Sequence, residues 1–220
     1  MRRTLAEKIL AQHSGEEDVS PGRIVRCPLS LVLANDITAP LAIKAMAKMG
    51  ADAVFDQKKV VIVCDHFTPN KDIDSAEQVK FCREFAVKMG LVNYFEGGNV
   101  GVEHALLPEL GLVGPGDVIV GGDSHTCTYG GLSAFATGLG STDIGAAMAL
   151  GETWFKVPPS IKVELTGTLA PFVGAKDLML KLIGILGVSG ALYKALEFVG
   201  PLCAELTVEG RMTMANMAIE

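Results

Sequence analysis

Two uninterrupted apolar runs limit the folds open to this chain more than any other feature. Val60–Cys64 reads VVIVC and Asp117–Val120 reads DVIV. A strand with one wet face alternates apolar and polar residues. A run that is apolar at every position is buried on both faces, as in a parallel sheet covered by helices. Helical signals lie between and around the two runs. Thr4 and Glu7 stand at capping-box spacing around Leu5, Ile9 and Leu10, which predicts a short helix ending near Gly15. Leu29–Ala34 reads as a strand, and Pro40 suits the first turn of a helix that runs to Gly50. Ser75 and Gln78 form a second capping box, after which Val79, Cys82, Phe85, Ala86 and Met89 keep a helical period up to Gly90. Val102–Leu110 predicts a short helix, and Ser141 or Thr142 caps another that stops at Gly151.

After Pro158-Pro159 the pattern changes. Ile161, Val163 and Leu165 alternate with polar residues, the sign of a strand with one wet face. Ala175–Ile185 reads as a helix, Ala191–Phe198 as a strand and Gly210–Glu220 as a helix. Strands alternating with helices give an α/β class, largely parallel sheets with flanking helices. The expected division is an α/β subdomain over residues 1–157 and the start of a second over 158–220, incomplete at its C-terminus. The last helix carries no stop signal, so the natural polypeptide is expected to continue past Glu220.

Composition excludes several classes. Hydrophobic residues are 49% and charged residues 20%, enough apolar material for a core and too little charge for a disordered chain. A net charge of −6 without a Lys/Arg run argues against nucleic acid and anionic membrane as partners. The opening MRRTLAEKILAQHSGEE has two arginines but lacks the apolar region of a signal peptide. The most apolar stretch, Leu178–Leu192, is interrupted by Lys181 and glycines and is shorter than the about 20 residues a membrane span needs. The five cysteines (Cys27, Cys64, Cys82, Cys127 and Cys203) are odd in number and form no C-x-x-C. They fit neither a disulfide framework nor a structural zinc site, and a reducing cytoplasm is the expected setting.

The chemistry-bearing residues cluster where the buried runs end. VVIVC leads into Asp65-His66, and DVIVGG leads into Asp123-Ser124-His125. Ligands of open α/β sheets bind outside the carboxyl ends of the strands. Of four histidines, His66, His104 and His125 each lie within two residues of a carboxylate, and His13 has no such neighbour and is expected in solvent. A carboxylate fixes an imidazole's tautomer and raises its pKa, as proton transfer near neutral pH requires. One Asp-His step after a strand can equally be a loop cap; two at equivalent strand ends favour chemistry. Gly97-Gly98, Gly121-Gly122, Gly130-Gly131, Gly138 and Gly140 match no nucleotide-binding pattern. They read either as tight turns or as points where backbone N–H groups approach an anionic substrate. Cys64 and Cys127 beside the site read as small buried residues, and Met212, Met214 and Met217 as core filler.

The strings LVLANDITAP, VIVCDHFTPNKD, GDSHTCTYGGLSAFATGLGSTD and RMTMANMAIE, in that order, resemble the aconitase superfamily, most closely its isopropylmalate dehydratase and homoaconitase branch. The resemblance spans essentially the whole chain and implies an aconitase-like N-terminal region, of the type formed by that family's domains 1–3, truncated. It implies a hydro-lyase that interconverts hydroxy-diacids through an alkene, in leucine biosynthesis, with a 4Fe-4S cluster whose one iron free of cysteine acts as a Lewis acid. By motif, Asp65 and His66 resemble the pair that helps the hydroxyl leave, His104 and Asp123 a second pair, and His125 and Glu220 a third. Asn35, Ser124 and Thr128 resemble substrate contacts, although Thr128 stands where aconitase has Asn, and Asn216 resembles a neighbour of the cluster.

The family's cluster cysteines include a C-x-x-C pair beyond the last motif found here. The resemblance therefore implies no cluster ligand in this chain, no cluster bound by it alone, and no activity alone. The family's serine base and several arginines belong to a swivelling domain or small subunit, which is the implied partner. Two readings of other classes stay open. One is a divalent-metal hydrolase using Asp65, His66, His104, Asp123 and His125 as ligands. The other is a non-catalytic half-subunit that serves in assembly. A chain cut within a domain is also expected to expose apolar surface and to associate.

Overall fold

A computed structural model describes residues 3–220; Met1 and Arg2, which begin the basic opening segment, lie outside them. The centre of the fold is a five-stranded parallel sheet. Its strands are β2 (Leu31–Asn35), β3 (Val60–Val63), β4 (Asn93–Phe95), β5 (Val118–Gly121) and β6 (Phe135–Gly138), in the order β4-β3-β2-β5-β6. Every residue of β2, β3 and β5 is buried, as their unbroken apolar sequences require. Val32, Ala34, Val60, Ile62, Val118 and Val120 face one core, which also holds residues of α1 (Leu5–Ser14), α2 (Ala39–Lys48), α3 (Ile73–Met89) and α5 (Ser141–Leu150). Leu31, Leu33, Val61, Val63 and Ile119 face a second core with Leu107 of α4 (Glu103–Glu109) and with Tyr129.

Two smaller sheets complete the structure. β1 (Ile24–Pro28) pairs antiparallel with β7 (Glu152–Lys156), and β8 (Ser160–Glu164) pairs parallel with β9 (Ala195–Val199). α6 (Ala175–Leu186), α7 (Pro201–Glu205) and α8 (Val208–Met217) accompany the last pair, and a 3-10 helix covers Ser124–Leu132. Among the described residues no helix is long and apolar enough to cross a membrane.

Several expectations need correction. α3 begins before Ser75: Asp72 is its cap, accepting the Ser75 N–H at 2.8 Å, so Ser75 is the third helical residue of the box and not its first. The strand expected from Ala191 starts at Ala195, because residues 191–194 form a turn in which Tyr193 has φ 57°. Leu165 lies just past β8, although its N–H still donates to Val199 O. His13 is not free in solvent. It is half-buried, with Nδ1 3.0 Å from the Pro28 carbonyl oxygen and Nε2 3.0 Å from that of Gly116.

Exposed large apolar residues are frequent between residues 172 and 193, where Phe172, Leu180, Ile185, Val188, Leu192 and Tyr193 all face out. Removing such surface from water is favourable by about 25 cal/mol per Å². Light scattering at rising concentration is therefore expected to give a mean mass above that of one chain. Val188→Lys combined with Leu192→Lys should lower it, and a clean monomer at high concentration would contradict the expectation.

Candidate active site

The carboxyl ends of β2, β3 and β5 open onto one crevice. It lies at the switch point of the sheet: from β2 the chain runs outward through β3 to β4, then returns to the opposite side of β2 as β5 and continues to β6. Asp36 follows β2, Asp65 and His66 follow β3, and Asp123 follows β5. Because the strands are buried on both faces, their polar residues collect at this edge. α4 adds Glu103 and His104, and the 3-10 helix adds His125.

Asp123 is the hub. Its Oδ1 lies 3.0 Å from His104 Nε2 and accepts the His125 backbone N–H at 2.7 Å, which caps the 3-10 helix. Its Oδ2 lies 3.4 Å from His66 Nε2. The hydrogen bond from His104, helped by the His125 N–H, holds this carboxyl down at about 2. His66 is fixed from its other side, with Nδ1 2.7 Å from Asp65 Oδ1. Beneath it, the fully buried Asp36 accepts the backbone N–H groups of His66 at 3.1 Å and Phe67 at 2.8 Å, which pins the loop after β3.

Glu103 joins the pairs. Its backbone N–H donates to Asp65 Oδ2 at 2.7 Å, and its Oε1 accepts from Asn35 Nδ2 at 3.3 Å and lies 3.6 Å from His104 Nε2. The residue is 1% exposed, and its Oε2 meets no hydrogen-bond donor. Burial, and after it the charge of Asp65, push this carboxyl up to about 8. Tyr129, buried in the wall, places its hydroxyl 3.2 Å from His104 Nδ1.

α8 closes the other wall. Asn216 Nδ2 donates to Thr128 Oγ1 at 2.9 Å, Thr128 donates to the His125 carbonyl at 2.6 Å, and His125 Nε2 lies 3.3 Å from Glu220 Oε1. The two helices approach backbone to backbone at Gly131, where a Cβ would stand 2.6 Å from the N and Cα of Met212. Gly138 is also filled by protein: a Cβ there would meet the Asp123 carbonyl oxygen at 2.7 Å. At both positions the missing side chain makes room for the chain itself.

Asp65, His66, His104, Asp123, His125 and Glu220 thus form one connected network. Ser124 lies on its rim, with Oγ 3.3 Å from His125 Nδ1. Asn35 and Thr128 are buried and turn their polar groups to the protein; the Asn35 Oδ1 accepts from Ile37 and Thr38. Asp36 and Tyr129 went unread in the sequence, and Glu103 was read only as a neighbour of His104. Asp36 obeys the rule that marked Asp65 and Asp123, a carboxylate directly after a buried strand; Glu103 and Tyr129 carry no comparable local signal.

A parallel sheet that gathers His-carboxylate pairs at its switch point places groups able to hold and pass protons where open α/β sheets bind ligands. Over residues 7–220 the chain matches the model of the aconitase family (aconitate hydratase), and it belongs to that family. Over all 220 residues it is 68% identical to the 3-isopropylmalate dehydratase large subunit of Oleidesulfovibrio alaskensis and 69% identical to that of Nitratidesulfovibrio vulgaris (strain Miyazaki F), covering 53% of each. It is 61% identical to 3-isopropylmalate dehydratase large subunit 1 of Pyrococcus abyssi over the same residues, 52% of that protein. The chain spans about half the length of the curated relatives it matches.

A cluster of the kind this family implies is held by cysteine thiolates. Among the described residues, no cysteine shares a group of three ligating side chains within reach of one ion. Cys27, Cys64 and Cys82 belong to the core, and Cys127 Sγ donates to the Ala215 carbonyl at 3.2 Å. Burial pushes the Cys27 and Cys127 thiols up to about 11, away from the thiolate form. The cysteines of this chain do not fit the ligand set of such a cluster.

The Glu103 carboxyl gives a pH test. Its folded value of about 8 exceeds the ordinary 4.5, so the folded state keeps a proton that the unfolded state releases. Stability from this group is full below pH 4.5 and declines as pH rises to about 8, by up to about 1.4 kcal/mol per pH unit. Asp123 acts in the opposite sense, losing its contribution only as pH falls from 3.8 towards 2. In chelator-containing buffer, the melting temperature of the parent chain should fall between pH 5.5 and 8.5. Glu103→Gln should flatten that fall; an unchanged slope would count against a buried neutral Glu103.

Proposed function

We propose that this chain is the N-terminal half of the large subunit of a hydro-lyase of the 3-isopropylmalate dehydratase type, acting in leucine biosynthesis. The observation that carries the reading is the meeting of both His-carboxylate pairs on Asp123, in a chain 61–69% identical along its whole length to proteins bearing that name. Their name favours isopropylmalate over homocitrate as the hydroxy-acid.

Dehydration of such an acid needs a proton delivered to the leaving hydroxyl and another removed from the neighbouring carbon. His66 is the donor favoured by its geometry: it is partly open to solvent, and its Nδ1 is held by Asp65. That contact fixes the ring and turns Nε2 towards Asp123 Oδ2 at the mouth of the crevice. His104, less exposed and bonded to Asp123, orients the hub, and Glu220 does the same for His125. Ser124 remains the candidate substrate contact on the rim, with Asn35 and Thr128 supporting the walls and Asn216 steadying Thr128. The thiolates of a 4Fe-4S cluster, which would supply Lewis acidity at the hydroxyl, are assigned to residues outside these 220. The base and the cations that bind the substrate's carboxylates are assigned to a small-subunit partner, and a reducing cytoplasm suits the five free thiols. The division into residues 1–157 and 158–220 belongs to the same proposal, the second part lending α8 and Glu220 to the crevice.

The test is anaerobic turnover of an alkene diacid, followed by ultraviolet absorbance, with the full-length polypeptide and its small subunit. His66→Asn should lower kcat by about 10²–10⁴-fold, and the 220-residue chain alone should give no turnover. Wild-type rates in His66→Asn would remove His66 from the mechanism. Turnover by the isolated chain would overturn the division of labour.

A further inference from the structure

Cys64 and Cys82 belong to the core between the sheet and α3, not to the crevice. Cys64 directly follows β3, and Cys82 sits on the buried stripe of α3 with Val79, Phe85 and Ala86. Both are 0% exposed and part of the same apolar cluster. One hydroxyl ties the two elements together at this point. The Tyr94 hydroxyl oxygen lies 3.6 Å from Cys64 Sγ and 3.4 Å from the carbonyl oxygen of Val79, one helical turn before Cys82. Each thiol is the other's hydrogen-bond partner. Cys27 and Cys127 differ, because their thiols turn to the carbonyls of Leu10 and Ala215.

The contact makes the pair unequal. The hydrogen bond from Cys82 holds the Cys64 thiol below its ordinary value although burial opposes it, and Tyr94 adds to the effect. The contact with Cys64, and after it burial, push the Cys82 thiol up. Such asymmetry suits one sulfur to attack an oxidant and its neighbour to resolve the product. The pair also lies one strand in from the rim of the sheet. β4, which carries Tyr94, is an edge strand of three half-buried residues. From Cys64 a chain of polar groups leads outward. The Tyr94 hydroxyl donates to Glu96 Oε2 at 2.8 Å, and the half-exposed Arg83 donates from Nε to Glu96 Oε1 at 2.6 Å. A proton leaving Cys64 has this route to solvent, and a small oxidant has only a short wall to cross.

We propose that Cys64 and Cys82 are a redox-active dithiol that hydrogen peroxide converts reversibly to a disulfide joining β3 to α3. The Cys64 thiolate attacks a peroxide oxygen, the O–O bond breaks, and hydroxide leaves to take up the proton that Cys64 released. Cys64 is then a sulfenic acid. The Cys82 sulfur attacks the Cys64 sulfur, the S–O bond breaks, and the departing hydroxide takes the Cys82 proton. Two thiols are oxidised by two electrons, and one peroxide is reduced to two waters. The bridge stands one residue before Asp65, where Thr68 Oγ1 donates to the Cys64 carbonyl and closes the loop that holds His66. The oxidation state of the pair is thus felt at the base of that loop. The site is independent of the hydro-lyase reading and is tested without turnover.

The experiment treats the reduced, tag-free chain with hydrogen peroxide, blocks the remaining thiols with N-ethylmaleimide in denaturant, and maps the products by mass spectrometry. The expected result is the loss of two hydrogen atoms, a single linked peptide pair joining Cys64 to Cys82, and return to the starting mass with dithiothreitol. The half-buried Cys203 serves as the internal gauge of oxidant dose. Cys82→Ala should abolish the link and leave Cys64 to gain oxygen. Circular dichroism establishes that this variant is folded. Should it not fold, Cys64→Ala removes the link from the other side, and the map of the parent chain carries the test by itself. Three results overturn the proposal: Cys64 and Cys82 unlinked when Cys203 is already oxidised, either one linked mainly to another cysteine, or a link that forms only in urea.

Discussion

The rest of the structure depends on covering the parallel sheet on both faces. Once β2, β3 and β5 are enclosed between two apolar cores, a polar side chain on those strands has one place to go, the edge where the strands end. Asp36, Asp65 and Asp123 arrive there from three strands that are neighbours in the sheet but far apart in sequence. The crowding of negative charge follows from this geometry. The histidines from the same loops and from α4 answer it, and Asp123, touched by three of them, becomes the point through which the network is connected.

How much of this is legible in the sequence follows the range of the interactions. VVIVC and DVIV declare themselves because burial on both faces writes an unbroken apolar code. α1 and its Gly15 cap are legible because capping is settled within a few residues. β1 and β7 leave little signal: they pair across more than a hundred residues as a two-stranded sheet, and β1 is buried only at alternate positions. β4 is three residues long and only half-buried, too short for periodicity to register. At α3 two polar residues compete for the cap, and the extended backbone of Asp72 decides for the earlier one.

In the site, sequence shows the pairs that are adjacent in the chain and conceals those that cross it. Asp65-His66 is visible as a dipeptide. The contacts of Asp123 with His66 and His104 arise only when β3, β5 and α4 are side by side. Glu103 was concealed for the same reason: nothing in VEHALL reports that its side chain points into the wall while its N–H reaches Asp65. His13 shows the opposite error. Without a neighbouring acid it read as exposed, yet two backbone carbonyls from distant segments claim its ring.

The backbone contact between the Gly131 region and α8 has a kinetic consequence. The hydrogen bond from Asn216 to Thr128 closes a loop of 88 residues, and the pairing of His125 with Glu220 one of 95. Closing loops of that length costs chain entropy before any contact compensates for it. The pairing of β2 with β5 in the central sheet closes a loop of the same length, from Leu31 to Ile119, so loop length alone does not set the order. Synthesis from the N-terminus delivers the strands of the sheet edge, residues 31–138, before α8, so the growing chain acquires the sheet edge first and the α8 wall last. A nascent chain has its acids and imidazoles gathered in an open cleft before the wall that shapes their access is in place.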